Sequence, residues 1–234
     1  MDILLAFLGW FFGAVAAIAV IIWLERLRSP RLTLADPVPN PPHQVDIPPR
    51  GPFQNDWRSL RVVVNNELLR PWANWWLVRL PAQQCRADIT FLRSTDASPI
   101  FQQPMTGRWA SGAPEPRVAH VQTASGQTVP VLLNPQELKP ALDLYPGDSL
   151  ILDVAIRVDG ENDCYGWNDE TYYYSNWRNP NRQLPKGLYL VEVTVTSSGK
   201  KCTGYFRLTN DGAFAAFSLT LPSRAERKAI EARR

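Results

Sequence analysis

The chain has 234 residues, 45% of them apolar and 20% charged, with nine Trp and a net charge of +3. That length holds one or two domains and a sizeable core. The charge gives no general case for nucleic-acid binding, because the tail 223–234 accounts for the excess: Arg224, Arg227, Lys228, Arg233 and Arg234 stand there against Glu226 and Glu231.

Residues 3–24 read ILLAFLGWFFGAVAAIAVIIWL, 22 residues without a charge. As a helix they span roughly 33 Å, enough for a hydrocarbon core of about 30 Å. A core helix of a soluble domain needs a polar face, and this run has none. A cleavable signal peptide needs a basic n-region and an apolar run of about 7–15 residues. Here only Met1 and Asp2 precede a longer run, so residues 1–28 are expected to be a retained transmembrane anchor in contact with the lipid bilayer. Arg26, Arg28 and Arg31 follow the span, and cations favour the cytoplasmic side, so the bulk of the chain is expected on the cytoplasmic side of a cell membrane that it crosses once. Trp10 and Trp23 lie toward the two ends of the span, Trp23 at the depth expected of an interfacial anchor. Gly9, Gly13 and Ala17 repeat every four residues. Such a stripe allows helix–helix approach and a homodimer, although Gly and Ala are also ordinary in membrane helices.

Residues 29–52 contain eight prolines. Proline lacks an amide donor and fixes φ, so neither a helix nor a central strand is expected. The segment is read as a linker, either extended to roughly 70 Å as polyproline or laid against the domain.

The body, residues 53–222, reads as β. In 150–158 the alternate residues Leu150, Leu152, Val154, Ile156 and Val158 are apolar, with Asp153 and Arg157 on the other face. Residues 189–196 repeat the pattern with Tyr189, Val191, Val193 and Val195. A Ser197–Lys200 turn follows, and Cys202, Gly204, Phe206 and Leu208 alternate on the return strand, the clearest hairpin in the chain. Further strands are expected at 60–65, 75–80 and 85–92. Many short antiparallel strands with Pro and Gly turns imply a sandwich. The strand after Tyr145–Asp148, and the Leu184–Gly187 turn that leads into a long hairpin, make 59–210 similar to immunoglobulin-like and fibronectin-type sandwiches. The resemblance implies a fold and no function. At about 150 residues the body exceeds the ~100 of a plain immunoglobulin domain, and the excess is assigned to the Pro- and Gly-bearing stretch 94–140 and to the stretch 159–177.

The stretch 159–177, DGENDCYGWNDETYYYSNW, gathers five carboxylates, one Cys and six aromatics in nineteen residues. Asp159, Glu161, Asp163 and Glu170 occupy positions 1, 3, 5 and 12 of a calcium-loop frame, but Cys164 stands where the frame requires Gly. Tyr165, Trp167, Tyr172, Tyr174 and Trp177 offer flat faces to a ligand, or cover one edge of the sandwich. The expectation is an ordered corner with its rings packed and its acidic tip in water. Cys85, Cys164 and Cys202 are an odd set without CxxC spacing, and in a cytoplasmic domain they remain thiols; on the other side of the membrane a Cys164–Cys202 bridge becomes plausible. With His43 and His120 they make a poor zinc set. No nucleophile elbow, phosphate loop, dinucleotide fingerprint or zinc-protease motif occurs, and no cofactor is implied. Ser223 and Glu226 have capping-box spacing, so residues 223–234 are expected to form a short basic helix, solvated or resting on anionic lipid. Taken together these features describe a membrane-anchored binding or assembly module without catalysis. The alternative is a hydrolase or metal-dependent enzyme using the loop 159–177.

Overall fold

The uncharged N-terminal run forms one helix, α1 (Asp2–Arg28). A computed structural model of the chain describes residues 2–35, 37–39, 43–44, 56–110, 118–123, 126, 128–132, 141–173 and 177–231. Over Trp10–Arg28 the helix is long and apolar enough to cross a bilayer, and none of that window is buried against the rest of the chain. Trp10, Phe12, Ile18, Ile21 and Trp23 on it are each about half exposed or more. Pro30 lacks the amide that would extend the helix, and the last turn closes with Ser29 N–H on the Glu25 carbonyl at 3.0 Å. The domain grips that end directly. Leu80 N–H donates to the Arg28 carbonyl at 2.7 Å, and Arg79 Nη1 donates to the Ser29 carbonyl at 2.7 Å.

The chain enters a sheet almost at once. β1 (Leu32–Leu34), β2 (Val38–Pro39) and β3 (His43–Gln44) run antiparallel along one edge of β4 (Asp56–Asn66). The described part of the proline-rich segment therefore follows the sheet, and it keeps to the edge that proline tolerates. After β4 comes a single helical turn, α2 (Pro71–Asn74), and residues 75–80, expected as a strand, form a turn and irregular chain. Pro71 starts the turn with its φ already set, and Leu77 N–H closes on the Ala73 carbonyl at 3.0 Å. That closure uses the backbone groups a strand would have offered to a neighbour.

β5 (Ala82–Arg93), β6 (Met105–Thr106) and β7 (Arg108–Trp109) follow, then an antiparallel pair, β8 (Val118–Gln122) and β9 (Thr128–Leu132), then β10 (Leu142–Leu144) and β11 (Ser149–Val158). β12 (Cys164–Gly166), the helical turn α3 (Asp169–Tyr173), β13 (Gln183–Leu184), β14 (Gly187–Ser197), β15 (Lys200–Asn210), β16 (Ser218–Thr220) and α4 (Arg224–Glu231) complete the described chain. One sheet has the order β1-β4-β11-β12-β13, and the other β10-β5-β14-β15-β16. All the described pairings are antiparallel, and β14 and β15 match register from Gly187–Asn210 to Ser197–Lys200.

A common core joins the two sheets. Leu60, Val62, Val64, Leu152 and Val154 come from the first; Ile89, Phe91, Val191, Val193, Phe206 and Leu208 come from the second. Fully burying one such side chain contributes about 1.5–3 kcal/mol. Gly107 marks the place where the chain passes from β6 on one sheet to β7 on the other. A Cβ there would lie 2.7 Å from Leu152 Cδ1 and 2.8 Å from Ala87 Cβ, so only Gly fits between the layers. On the outer face of the second sheet, Ile230 of α4 packs with Leu92 and Leu190. The capping box forms in both directions: Ser223 N–H donates to Glu226 Oε2 at 2.7 Å, and Glu226 N–H to Ser223 Oγ at 3.2 Å.

Candidate functional site

The described part of 159–177 joins the first sheet as β12 and sets Tyr165, Trp167 and Trp177 in a second apolar cluster, and a bulge in β11 prepares the face they pack on. Leu150, Leu152 and Val154 point into the common core, but the register with β4 slips between Asp153 and Ala155. Ala155 then occupies the core side too. Ile156 and Val158, expected inward with the others, turn to the opposite face and form a second apolar cluster with Tyr165, Trp167 and Trp177. Arg157, expected on the outer side, is carried inward. Its guanidinium donates to Asn210 Oδ1 at 3.0 Å and to the carbonyls of Gly212 and Glu161, each at 3.0 Å.

The rings meet edge to face. Trp177 lies 5.5 Å from Trp167 and 5.7 Å from Trp57 between centroids, at interplanar angles of 74° and 70°. Asn168 caps α3 by accepting from Thr171 N–H at 3.0 Å, and Thr171 Oγ1 donates to the Gly166 carbonyl at 2.6 Å. Trp177 has φ +60°, a left-handed conformation that a bulky side chain rarely adopts. Its buried indole N–H has no hydrogen-bond partner among the described residues.

Asp153, fully buried, ties this cover to the sheet. It accepts from Arg61 Nε at 2.8 Å and pairs with Arg108. Arg108 reaches on to Asp169 at 3.3 Å and sets its guanidinium over Tyr172 at 5.2 Å and Trp167 at 5.9 Å. Burial pushes the Asp153 carboxyl above its usual range, while Arg108 and Arg61 pull against it. Burial also raises Asp169, opposed by Arg108. Arg61 is thus held by Asp153, and Arg108 by two carboxylates and two rings, and the arrangement works as a fastening between cover and sheet.

Of the sequence-derived ligand residues, Tyr165, Trp167 and Trp177 are buried, Tyr172 is half-buried, and Tyr174 lies outside the described residues. Of the acidic set, Asp159 is exposed; Glu161 pairs with Arg178, Asp163 accepts from Gln183, and Glu170 pairs with Arg182 at 3.0 Å. No group of three or more His, Cys, Asp and Glu among the described residues is placed to hold a metal ion. Cys85, Cys164 and Cys202 are free thiols, the first two buried. Burial raises all three thiols, Cys164 most strongly. On α1, Gly13 has no atom of a neighbouring element within 4 Å and Ala17 is exposed; the surroundings of Gly9 lie outside the described residues. The side chains of His43 and His120 lie outside them as well.

A second feature escapes sequence reasoning because a strand was expected in its place. Around α2, Trp72, Trp75, Trp76, Val78 and Leu68 are 51%, 81%, 42%, 72% and 56% exposed, a shelf of apolar surface beside the end of α1. The signal available in the sequence is Pro71, which starts a turn and leaves the Trp residues off the sheet.

The chain matches no protein-family model and no curated protein.

Proposed function

We propose that the chain is a single-pass membrane protein in which α1 holds an immunoglobulin-like sandwich on the cytoplasmic face as a binding or assembly module without catalysis. The observation that carries this reading is the exposed apolar surface of α1 together with its fixed junction to the domain. A helix with Trp10, Phe12, Ile18 and Ile21 open on its flanks gains from hydrocarbon and loses in water. The Arg cluster that follows supports the inward orientation. The strand orders support the immunoglobulin-like reading: β1-β4-β11 corresponds to A-B-E, and β5-β14-β15 to C-F-G. The pairing of Glu161, Asp163 and Glu170 with Arg178, Gln183 and Arg182 supports a fastening role for those carboxylates rather than a shared ion.

The test is alkaline carbonate extraction of membranes containing the full chain, with mass spectrometry of the N-terminus. The intact chain should stay in the pellet. Release into the supernatant, or a mature protein that has lost α1, contradicts the anchor.

A further inference from the structure

Where α1 meets the sandwich there is a cavity of about 430 Å³, within the roughly 300–1,000 Å³ range of small-ligand sites. Arg26 from the helix end, Arg31 from the segment after it, and Arg70 and Arg79 from the β4–β5 connection converge on it, with Glu67 as the one carboxylate in its lining. Glu67 is occupied by Arg31 at 3.1 Å, and Arg26 and Arg70 form no ion pair among the described residues. Arg79 Nε is buried there without an acceptor among the described residues. Burial and the neighbouring Arg31 pull the Arg79 guanidinium below its ordinary value, and Glu67 does not restore it. Trp72 lines the same cavity, and Trp75 and Trp76, three and four residues further on, are exposed.

We propose that this notch binds the phosphate of an anionic lipid headgroup in the leaflet where α1 ends, with Trp72, Trp75 and Trp76 seated in the interfacial layer beside it. The inference rests on reading α1 as a membrane span. Three features single out lipid as the occupant. The cavity is lined in part by the helix end itself, and the Leu80–Arg28 hydrogen bond fixes the shelf at that depth. Trp is the side chain best suited to the headgroup layer, being apolar in body and polar at one atom. The cations outnumber the carboxylate by four to one, and guanidinium forks match phosphate oxygens.

The test uses the full chain in nanodiscs of phosphatidylcholine alone and of a three-to-one mixture of phosphatidylcholine and phosphatidylglycerol. Hydrogen exchange of the amides in 67–80 is followed by mass spectrometry. The anionic discs should slow that exchange by about tenfold relative to neutral discs. Arg26→Gln with Arg70→Gln should remove most of the difference while leaving exchange in β14 and β15 unchanged, which shows that the variant is folded. Equal exchange in the two discs, or a difference that survives the double substitution, overturns the proposal. So does the same slowing by inorganic phosphate in neutral discs, which would make the notch a site for a free anion. Failure of the wild type to enter discs of either composition is a separate result: it overturns the membrane reading and this proposal with it.

Discussion

Replacing Trp167 with Ala removes the ring that most of the cover rests upon. Trp167 is 3% exposed, stands edge-on to Trp177, tilts against Tyr172 at 5.6 Å, and carries the Arg108 guanidinium over its face. A buried Trp removes about 150–250 Å² from water, which at about 25 cal/mol per Å² is roughly 4–6 kcal/mol. The extended-chain reference overstates this by roughly 10–40%, and Ala keeps the Cβ, while the lost ring contacts add back about 1 kcal/mol. The expected loss is about 3–5 kcal/mol, in line with Trp deletions in other cores. Urea unfolding of the full chain in mild detergent, followed by circular dichroism, should show a midpoint about 2 M lower for a slope near 2 kcal/mol per M. Tyr172→Ala, at a half-buried site, should cost less. A loss under about 1 kcal/mol for Trp167→Ala would refute the packing argument, because a ring that can be deleted so cheaply is a surface ring open to a ligand.

Asp153→Ala should also destabilise by about 3–5 kcal/mol in the same assay, because it strips Arg61 and Arg108 of their shared buried acceptor. A change under about 1 kcal/mol would mean that the fastening is unimportant. Maleimide treatment of the native chain should leave Cys85 and Cys164 unmodified and reach Cys202 slowly, with all three modified after unfolding, as counted by mass spectrometry. Glu226 titrates below its ordinary value of 4.5 because Ser223 donates to its carboxylate. Its depressed value means that the cap stabilises α4 above about pH 4.5 and is lost as the pH falls through the lower folded value. Protection of the amides over 224–230, relative to their intrinsic exchange at each pH, should therefore fall below that pH, and Ser223→Ala should lower it at neutral pH.

The long β14–β15 hairpin, most of β4, β5 and β11, and the Ser223–Glu226 cap were legible because each rests on local pattern: alternation, a Ser-Ser-Gly turn, or one side-chain spacing. What escaped depends on distance along the chain or on silent shifts of register. The bulge at Asp153 leaves the alternation of Leu150 to Val158 intact in the sequence, since Ala155 is as apolar as its neighbours, yet it sends Ile156 and Val158 to the other face. Arg61 and Arg108 lie 92 and 45 residues from Asp153, beyond any motif. Trp75–Trp76 looked like strand material because aromatic residues favour strands; Pro71 overrode that preference by starting a turn. Gly107 carries no mark in the sequence of the passage between sheets that it permits.

Sidedness decides on which face of the membrane the domain works, and the turn between β14 and β15 gives direct access to it. Ser198 is exposed at that turn, while Cys85 and Cys164 are buried and stay silent. In the full chain carrying Ser198→Cys and Cys202→Ser, a membrane-impermeant maleimide is applied to right-side-out membranes before and after permeabilisation. The account predicts no labelling while the membranes are sealed and full labelling once they are opened. Labelling of the sealed membranes would contradict it and place the sandwich on the outer face.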